Sequence, residues 1–210
     1  MLPGSSFAKN FENLMHNPNL PVLRGILNSF IVAMGSAVLT TYFSSLTAYA
    51  IHAYDFRGKK VIFTFILMIM MVPTQVSALG FVELMRKMKL MNSFVPLIVP
   101  SIAAPVVFFF MKQYMDSALP IEIVEAARID GSHEFRAFNT IVLPIMKPAI
   151  AVQAIFAFTS SWNNYFIPSL ILDKKDKKTL PILIAQLRSA DFLKFDLGQV
   201  YMMIAISIFP

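Results

Sequence analysis

A cluster of polar side chains lies in the middle of one long apolar stretch of the sequence. Residues Pro148–Leu172 carry no charge, yet their middle part, Thr159–Tyr165, reads TSSWNNY. A side-chain amide at membrane depth must face protein or water, since lipid offers it no hydrogen-bonding partner. The cluster therefore predicts one of two structures: the lining of a solute path, or a hydrogen-bonding patch between neighbouring helices.

Other residues that could do chemistry are spread too widely for catalysis. The three histidines, His16, His52 and His133, lie in separate segments, and the sequence has no cysteine. Gly58-Lys59 lacks the preceding glycine of a phosphate-binding GxxxxGK loop, so ATP cannot bind by that route. All 12 Asp and Glu residues lie outside the apolar stretches, which argues against carboxylate pairs for proton coupling. We expect no catalytic residue, no metal site and no cofactor, and an energy source on another chain.

The elements that hold these residues belong to a membrane protein. Of the 210 residues, 57% are hydrophobic and only 14% are charged, and the mean hydropathy is +0.64. A soluble domain has about 25% charged residues. These values exclude a disordered chain, a collagen-like fibre and a disulfide-stabilised secreted scaffold. The net charge of +6 then indicates basic loops at a membrane surface rather than a nucleic-acid partner.

Charge-free stretches locate the membrane spans, because about 20 apolar residues are needed to cross a bilayer. Four stretches are long enough and a fifth has only 14 residues; they cover about residues 25–52, 61–82, 90–111, 148–172 and 197–210. We therefore expect a polytopic, all-α transmembrane helix bundle that is truncated within its last span. Residues 1–22 read as an extracytoplasmic segment, without the charged start and apolar core of a signal peptide.

Small residues and prolines indicate how these spans are built. The first span has two rows of small residues at every fourth position, which allow helix backbones to approach closely. The rows are Ser36, Thr40, Ser44 and Ala48, and Ala33, Ala37, Thr41 and Ser45. The third span contains Pro96, Pro100 and Pro105, and the second contains Pro73. Each proline removes a backbone donor, so we expect broken helices whose freed carbonyls find partners in neighbouring helices or water.

The longest connection, Lys112–Lys147, far exceeds the roughly two to eight residues usual between bundled helices. Pro120, with a glutamate two residues later, suits the start of a helix. Gly131 is suited to end that helix in the left-handed region. Glu125 can pair with another protein across a contact, or with Arg128, three residues further on.

A second short helix is predicted directly after this glycine. Ser132 is expected to cap a helix over His133–Ile141, which ends at Leu143-Pro144. The two helices are partly amphipathic. A helix pair resting on lipid is therefore the alternative to a helix pair that contacts another protein.

This loop carries a specific pattern. From Glu125 the sequence has Glu-Ala-Ala, three residues, a glycine, nine residues, an isoleucine, one residue and Leu-Pro. The pattern resembles the EAA motif of permease subunits of binding-protein-dependent ATP-binding-cassette (ABC) importers. Asn28-Ser29, Trp162-Asn163 and Thr179-Leu180-Pro181 extend the resemblance to the carbohydrate-uptake branch. The loop positions concerned are Glu125, Ala126, Ala127, Asp130, Gly131, Ile141, Leu143 and Pro144.

The resemblance implies a fold, a set of partners and a location. The fold is a type-1 (MetI-like) permease domain over residues 23–210, with a helix-turn-helix loop that couples it to an ATPase. The partners are a second permease subunit, two cytosolic ATP-binding-cassette ATPases and an extracytoplasmic solute-binding protein. The location is the plasma (inner) membrane of a prokaryote, crossed several times, with the loop in the cytosol. A total count of Lys and Arg would instead put the loop outside.

The resemblance also implies a carbohydrate or related solute. With the loop in the cytosol, the polar cluster lies toward the outer half of the membrane. Trp162 and Asn163 are then the residues expected to line the solute path, since an indole ring offers an apolar face and an amide offers donors and acceptors. The alternative is an ion-coupled secondary transporter or a channel subunit, in which the loop is only an interfacial anchor.

Overall fold

The computed structural model describes residues 7–17, 20–188 and 197–208, and this part of the chain is helical without any strand. The helices of the bundle are α1 (Phe7–Met15), α2 (Val22–Ala53), α3 (Lys59–Ile69), α4 (Thr74–Lys87), α5 (Val95–Ile98) and α6 (Pro105–Ala118). The long loop forms α7 (Ile121–Ile129), α8 (Glu134–Ala137) and α9 (Leu143–Ile145). The remaining helices are α10 (Lys147–Trp162), α11 (Phe166–Ile171), α12 (Leu180–Arg188) and α13 (Leu197–Ile208). Residues 189–196, between α12 and α13, lie outside the described residues.

The central element is α2, a helix of 32 residues and about 48 Å in length. Both predicted rows of small residues are buried, which confirms that they form packing faces. In the second row the buried hydroxyl groups bond to their own helix: Thr41 Oγ1 donates to the Ala37 carbonyl (2.8 Å), and Ser45 Oγ donates to the Thr41 carbonyl (2.7 Å). The helices α6 and α10 pack against α2 on either side.

The prolines break the second and third spans as predicted. At Pro73 the axes of α3 and α4 differ by 94°. In the third span, a 3₁₀ turn over Val99–Ile102 and two non-helical residues separate α5 from α6. Pro105 has no N–H to offer the carbonyl of Ser101, and Thr40 Oγ1 of α2 donates to that carbonyl instead at 2.9 Å. A neighbouring helix therefore satisfies the carbonyl that the proline leaves free.

The helix ends differ from the predicted spans at several places. Among the described residues, Val22–Ala53 and Val95–Ala118 are each long and apolar enough to cross a membrane, and two bent helix pairs could each supply one more span. The third span begins at Val95, whereas the charge-free stretch began at residue 90. The helix of the fourth span ends at Trp162, within the polar cluster, and α11 follows after a short break.

The buried side chains form three clusters. One surrounds Phe138 and joins the long loop to α2 and α6. A second, around Trp162, holds α1, α10, α12 and α13 together with the start of α2. A third lies between α4, α11 and α12. The long loop is therefore part of the packed structure and not an appendage on its surface.

Candidate functional site: the long loop and the cavity

The first helix of the loop, α7, ends in the turn predicted for it. Gly131 has a φ of +75°, in the left-handed region. The Ser132 N–H donates to the Ala127 carbonyl at 2.9 Å, and the Gly131 N–H donates to the Arg128 carbonyl at 3.0 Å. These two bonds are those of a Schellman motif, which caps the last carbonyls of a helix. The turn is thus fixed by backbone hydrogen bonds as well as by the glycine.

The second helix of the loop corrects two predictions. Ser132 does not cap it: α8 begins at Glu134, the residue before the helix is His133, and no side chain caps the start. The helix also does not stop at Leu143-Pro144. It continues through a π-helical turn, in which the Leu143 N–H reaches the Phe138 carbonyl, and ends only after α9. The wider π-helical turn before Pro144 accommodates the N–H that this proline lacks. The chain changes direction, by 82°, only at the junction between α9 and α10.

The motif residues divide into an exposed set and a packed set. Glu125, Ala126, Asp130 and Gly131 are exposed on the outer side of α7 and its turn. Ala127 is buried on the inner side. Leu143 packs against the cluster around Phe138, Ile141 is half-buried, and Pro144 is exposed. The outer side of α7 is therefore free to contact another molecule, while Ala127 and Leu143 pack the loop against the bundle.

Of the two alternatives for Glu125, the pairing with Arg128 is wrong. Arg128 Nε instead donates to Glu134 Oε1 at 2.6 Å, and Tyr49 Oη donates to Glu134 Oε2 at 2.7 Å. Arg128 Nη2 also donates to the Ala53 carbonyl at 3.3 Å, and its guanidinium carbon lies 5.1 Å from the centre of the Tyr54 ring. Glu125 has no ion pair among the described residues.

These four residues, Tyr49, Tyr54, Arg128 and Glu134, are here called the Glu134 cluster. Their contacts shift the pKa values of the ionisable groups within it. The hydrogen bond from Arg128, followed by those from the two tyrosines, lowers the pKa of Glu134 from 4.5 to about 2, although desolvation opposes the shift. Burial and the neighbouring carboxylate raise the pKa of Tyr54. Glu134 is therefore a carboxylate throughout the ordinary pH range.

A second contact fastens the loop to the same end of α2. The Nδ1 atom of His52 lies 2.9 Å from Asp116 Oδ1, and its Nε2 atom lies 3.0 Å from the Leu119 carbonyl oxygen. Lys112 Nζ donates to Asp116 Oδ2 at 2.6 Å. Sequence reasoning missed both contacts because their partners are 64 to 85 residues apart, and no local pattern links them. Within the described residues, no group of three or more His, Cys, Asp or Glu could hold a metal ion.

A partly open cavity with a volume of about 1090 Å³ lies between the helices. Its walls come from α2, α4, α6, α10, α11 and the proline-broken segment, which consists of α5 and the 3₁₀ turn that follows it. Most of the lining is apolar. The polar side chains of the lining are Ser36, Thr40, Thr74, Ser77, Ser101, Gln153, Ser160, Ser161 and Asn164.

The polar cluster of the fourth span is divided between this cavity and the protein interior. Ser160, Ser161 and Asn164 line the cavity, but Trp162 and Asn163 do not. Trp162 is 4% exposed, stacks on Phe158 and donates from Nε1 to the Ser207 carbonyl at 3.1 Å. Consecutive residues of a helix point to different sides, so only part of such a run can face one cavity. Trp162 is therefore buried away from this cavity and Asn163 is exposed outside it, and which residues line a solute path stays a prediction.

Broken apolar helices around a partly polar cavity, with a rigid two-helix loop at one end, define a membrane transport subunit. The chain belongs to the family described as "Binding-protein-dependent transport system inner membrane component", whose model matches residues 41–209. The matched residues include the long loop and all of the cavity lining except Val32, Ser36 and Thr40 of α2.

Relatives of known name agree with this assignment. The chain is 35% identical over 204 residues to the arabinooligosaccharides transport system permease protein AraQ of Bacillus subtilis, covering 95% of this chain and 72% of that protein. It is 41% identical over 160 residues to AraQ of Halalkalibacterium halodurans, covering 76% of this chain but only 57% of that protein. It is 32% identical to the sn-glycerol-3-phosphate permease protein UgpE of Shigella flexneri, covering 85% of this chain and 65% of UgpE.

A solved structure shares the fold. A chain in the crystal structure of a bacterial ABC transporter involved in the import of the acidic polysaccharide alginate superimposes with a TM-score of 0.84. The match covers 99% of this chain and 77% of that chain at 20% sequence identity. The fold is therefore that of an ABC importer permease, as expected from the loop motif.

Proposed function

We propose that this chain forms part of the solute path of an ABC importer and passes the motion of a separate ATPase to that path. The observation that carries the proposal is the loop: the exposed side of α7 presents Glu125 and Ala126, while the other side is fixed to α2 and α6. A short helix with one exposed side suits insertion into a cleft of another protein, and Ala126 lets the other chain approach closely there. Its fixed inner side allows displacement of that helix to reach the membrane helices.

The partners follow from this arrangement. Two cytosolic ATP-binding-cassette subunits would bind the long loop of this chain and the matching loop of a second permease subunit. An extracytoplasmic binding protein would deliver the solute from the opposite side. In this proposal the loop lies in the cytosol, and the chain crosses the inner membrane of a prokaryote several times.

The solute is proposed to be a carbohydrate or a related polyol derivative. Named relatives transport arabinooligosaccharides, sn-glycerol 3-phosphate and lactose. The cavity supports this class because the amides of Gln153 and Asn164 and the hydroxyl groups of Ser160 and Ser161 lie among apolar walls. Amides and hydroxyl groups both donate and accept hydrogen bonds, as hydroxyl-rich solutes require. Ser160, Ser161 and Asn164 therefore replace Trp162 and Asn163 as the proposed path residues.

The decisive experiment perturbs the exposed side of α7 in the full-length permease, co-expressed with its transport partners. Glu125→Lys should weaken ATPase binding more than Glu125→Gln, since lysine adds a repulsive charge where glutamine only removes a negative one. Glu83→Lys, an exposed glutamate on α4, is the control. The measurements are co-purification of the ATPase subunits and ATP-dependent solute uptake in vesicles.

Two results would contradict the proposal. The first is wild-type co-purification and uptake for Glu125→Lys. The second is uptake that survives removal of ATP but stops when the ion gradient is collapsed, which would identify an ion-coupled transporter instead.

A further inference from the structure

The end of α2 is the place where the long loop is fastened to the bundle. We propose that Glu134 is a positioning residue that fixes the coupling helix α7 to α2, so that movement of α7 reaches the cavity through α2. This inference rests on the proposed function, since it assumes that an ATPase moves the loop. It assigns a role to residues that are not part of the EAA pattern: Arg128 and Glu134 in the loop, and Tyr49 in α2.

The Glu134 cluster joins three elements at one carboxylate. Arg128 comes from the last turn of α7, Glu134 from the first turn of α8, and Tyr49 from the last two turns of α2. The two bonds to the carboxylate are short, at 2.6 and 2.7 Å, as expected for charge-assisted hydrogen bonds. Each carboxylate oxygen has its own donor, so α7 cannot move away from α2 without breaking one of them.

An aromatic contact supports the same connection one turn further along. Phe138, which is fully buried, has its ring centre 5.5 Å from that of Tyr49 and 5.7 Å from that of Tyr42. Tyr42 Oη also donates to Asn139 Oδ1 at 3.2 Å. The second half of the loop therefore lies along α2 from Tyr42 to Tyr49, about 10 Å of helix.

The middle of α2 holds the wall of the cavity. Tyr49 and Ser36 are 13 residues apart in one unbroken helix, which corresponds to about 20 Å. Ser36 Oγ donates to the Leu97 carbonyl at 3.2 Å, next to the Thr40 bond to Ser101 described above. Both acceptors lie in the proline-broken segment that lines the cavity. The covalent route from the loop into α10 is bent by 82°, whereas α2 is a continuous helix between the loop and this segment.

The test measures transmission without the need to know the solute. The sequence of 210 residues contains no cysteine. In the full-length complex, Ser160→Cys therefore introduces one thiol on this chain's side of the cavity. The rate of reaction with a water-soluble maleimide is compared between the nucleotide-free state and the state trapped with ATP and vanadate. In the parent complex, trapping should change the rate of the maleimide reaction. In Glu134→Gln this rate change should be about fivefold smaller, a factor at the lower end of measured coupling between sites.

Three further variants separate transmission from folding. Tyr49→Phe removes one hydroxyl group but keeps the ring against Phe138. Like Glu134→Gln, it should reduce the change in the maleimide reaction rate on trapping. Arg128→Glu combined with Glu134→Arg restores an ion pair of reversed sense and should recover part of the change. Glu83→Gln removes the carboxylate of an exposed pair with Arg86 on α4 and should behave as the parent protein. A merely structural effect would lower the amount of complex and would not be recovered by the exchange.

The possible failures are distinguishable. If the ATPase subunits do not co-purify with the parent permease, the proposed function fails. If they co-purify, and both Glu134→Gln and Tyr49→Phe leave the ATP-dependent change at the parent value, the role of Glu134 is refuted. Loss of ATPase co-purification in the Glu134→Gln variant would also refute it, because Glu134 would then act in binding and not in transmission.

Discussion

The turn after the coupling helix allows a test in which one kind of substitution has opposite effects at two sites. Gly131 has a φ of +75°, and a Cβ added there would meet no atom within 4 Å. The cost of Gly131→Ala is therefore backbone strain alone, about 1–2 kcal/mol for a Cβ in the left-handed region. Gly131→Asn should cost less, because asparagine enters that region more readily.

Gly80 provides the matched control. It lies inside α4, again with no atom within 4 Å of an added Cβ, and its φ is not in the left-handed region. Gly80→Ala should therefore stabilise α4 by roughly 0.5–1 kcal/mol, because alanine loses less backbone entropy in a helix.

Hydrogen exchange followed by mass spectrometry measures both effects in the full-length protein. The amide of Ser132, bonded to the Ala127 carbonyl, should lose protection by about 5- to 30-fold in Gly131→Ala, since 1.36 kcal/mol corresponds to a factor of ten. Peptides from α4 should gain protection in Gly80→Ala. Two results would refute the reasoning from backbone conformation. One is an equal loss of Ser132 amide protection in Gly131→Ala and Gly131→Asn, and the other is a loss of protection of α4 in Gly80→Ala.

Three further predictions concern other contacts. Because its pKa is lowered from 4.5 to about 2, Glu134 contributes stability above about pH 4.5 that is lost as the pH falls toward 2. Over this interval the melting temperature of the parent protein should therefore approach that of Glu134→Gln. Between pH 5 and 8 the difference between the two melting temperatures should stay constant. Thr40→Val leaves the Ser101 carbonyl without its donor and should lower the free energy of unfolding by about 1–3 kcal/mol. Thr47→Val, on an exposed hydroxyl bonded only to its own helix, should stay within about 0.5 kcal/mol of the parent in the same detergent titration. Trp162→Phe removes the donor to the Ser207 carbonyl and should cost about 1 kcal/mol of stability without changing the concentration dependence of solute uptake.

Local patterns predicted the local structure well. The left-handed Gly131, the break at Pro73 and the two buried rows of α2 each depend on residues within a few positions of one another. Proline and glycine restrict the backbone directly, and the spacing of small residues defines a helix face whatever the helix contacts.

The errors arose where distant parts of the chain compete for the same side chain. Arg128 had a glutamate three residues before it, but Glu134 and the end of α2 offer a better-oriented acceptor set. Trp162 and Asn164 are near neighbours in the sequence, yet one is directed into a cluster with α13 and the other toward the cavity. Such choices depend on the direction of each side chain in the finished bundle, which no spacing rule contains.

The contact between the first and last described helices has a consequence for how the protein is made. Leu14 of α1 shares a buried cluster with Met202 and Met203 of α13, and Asn17 Nδ2 donates to Gln199 Oε1, 182 residues away. At about 5–20 residues per second, a ribosome needs roughly 10–40 s to synthesise the intervening chain. During that time α1 has left the ribosome while its partner does not yet exist. Biogenesis of this protein therefore includes a waiting period in which the apolar side of α1 must rest on lipid, on α2 or on the insertion machinery, and only synthesis of α13 ends it.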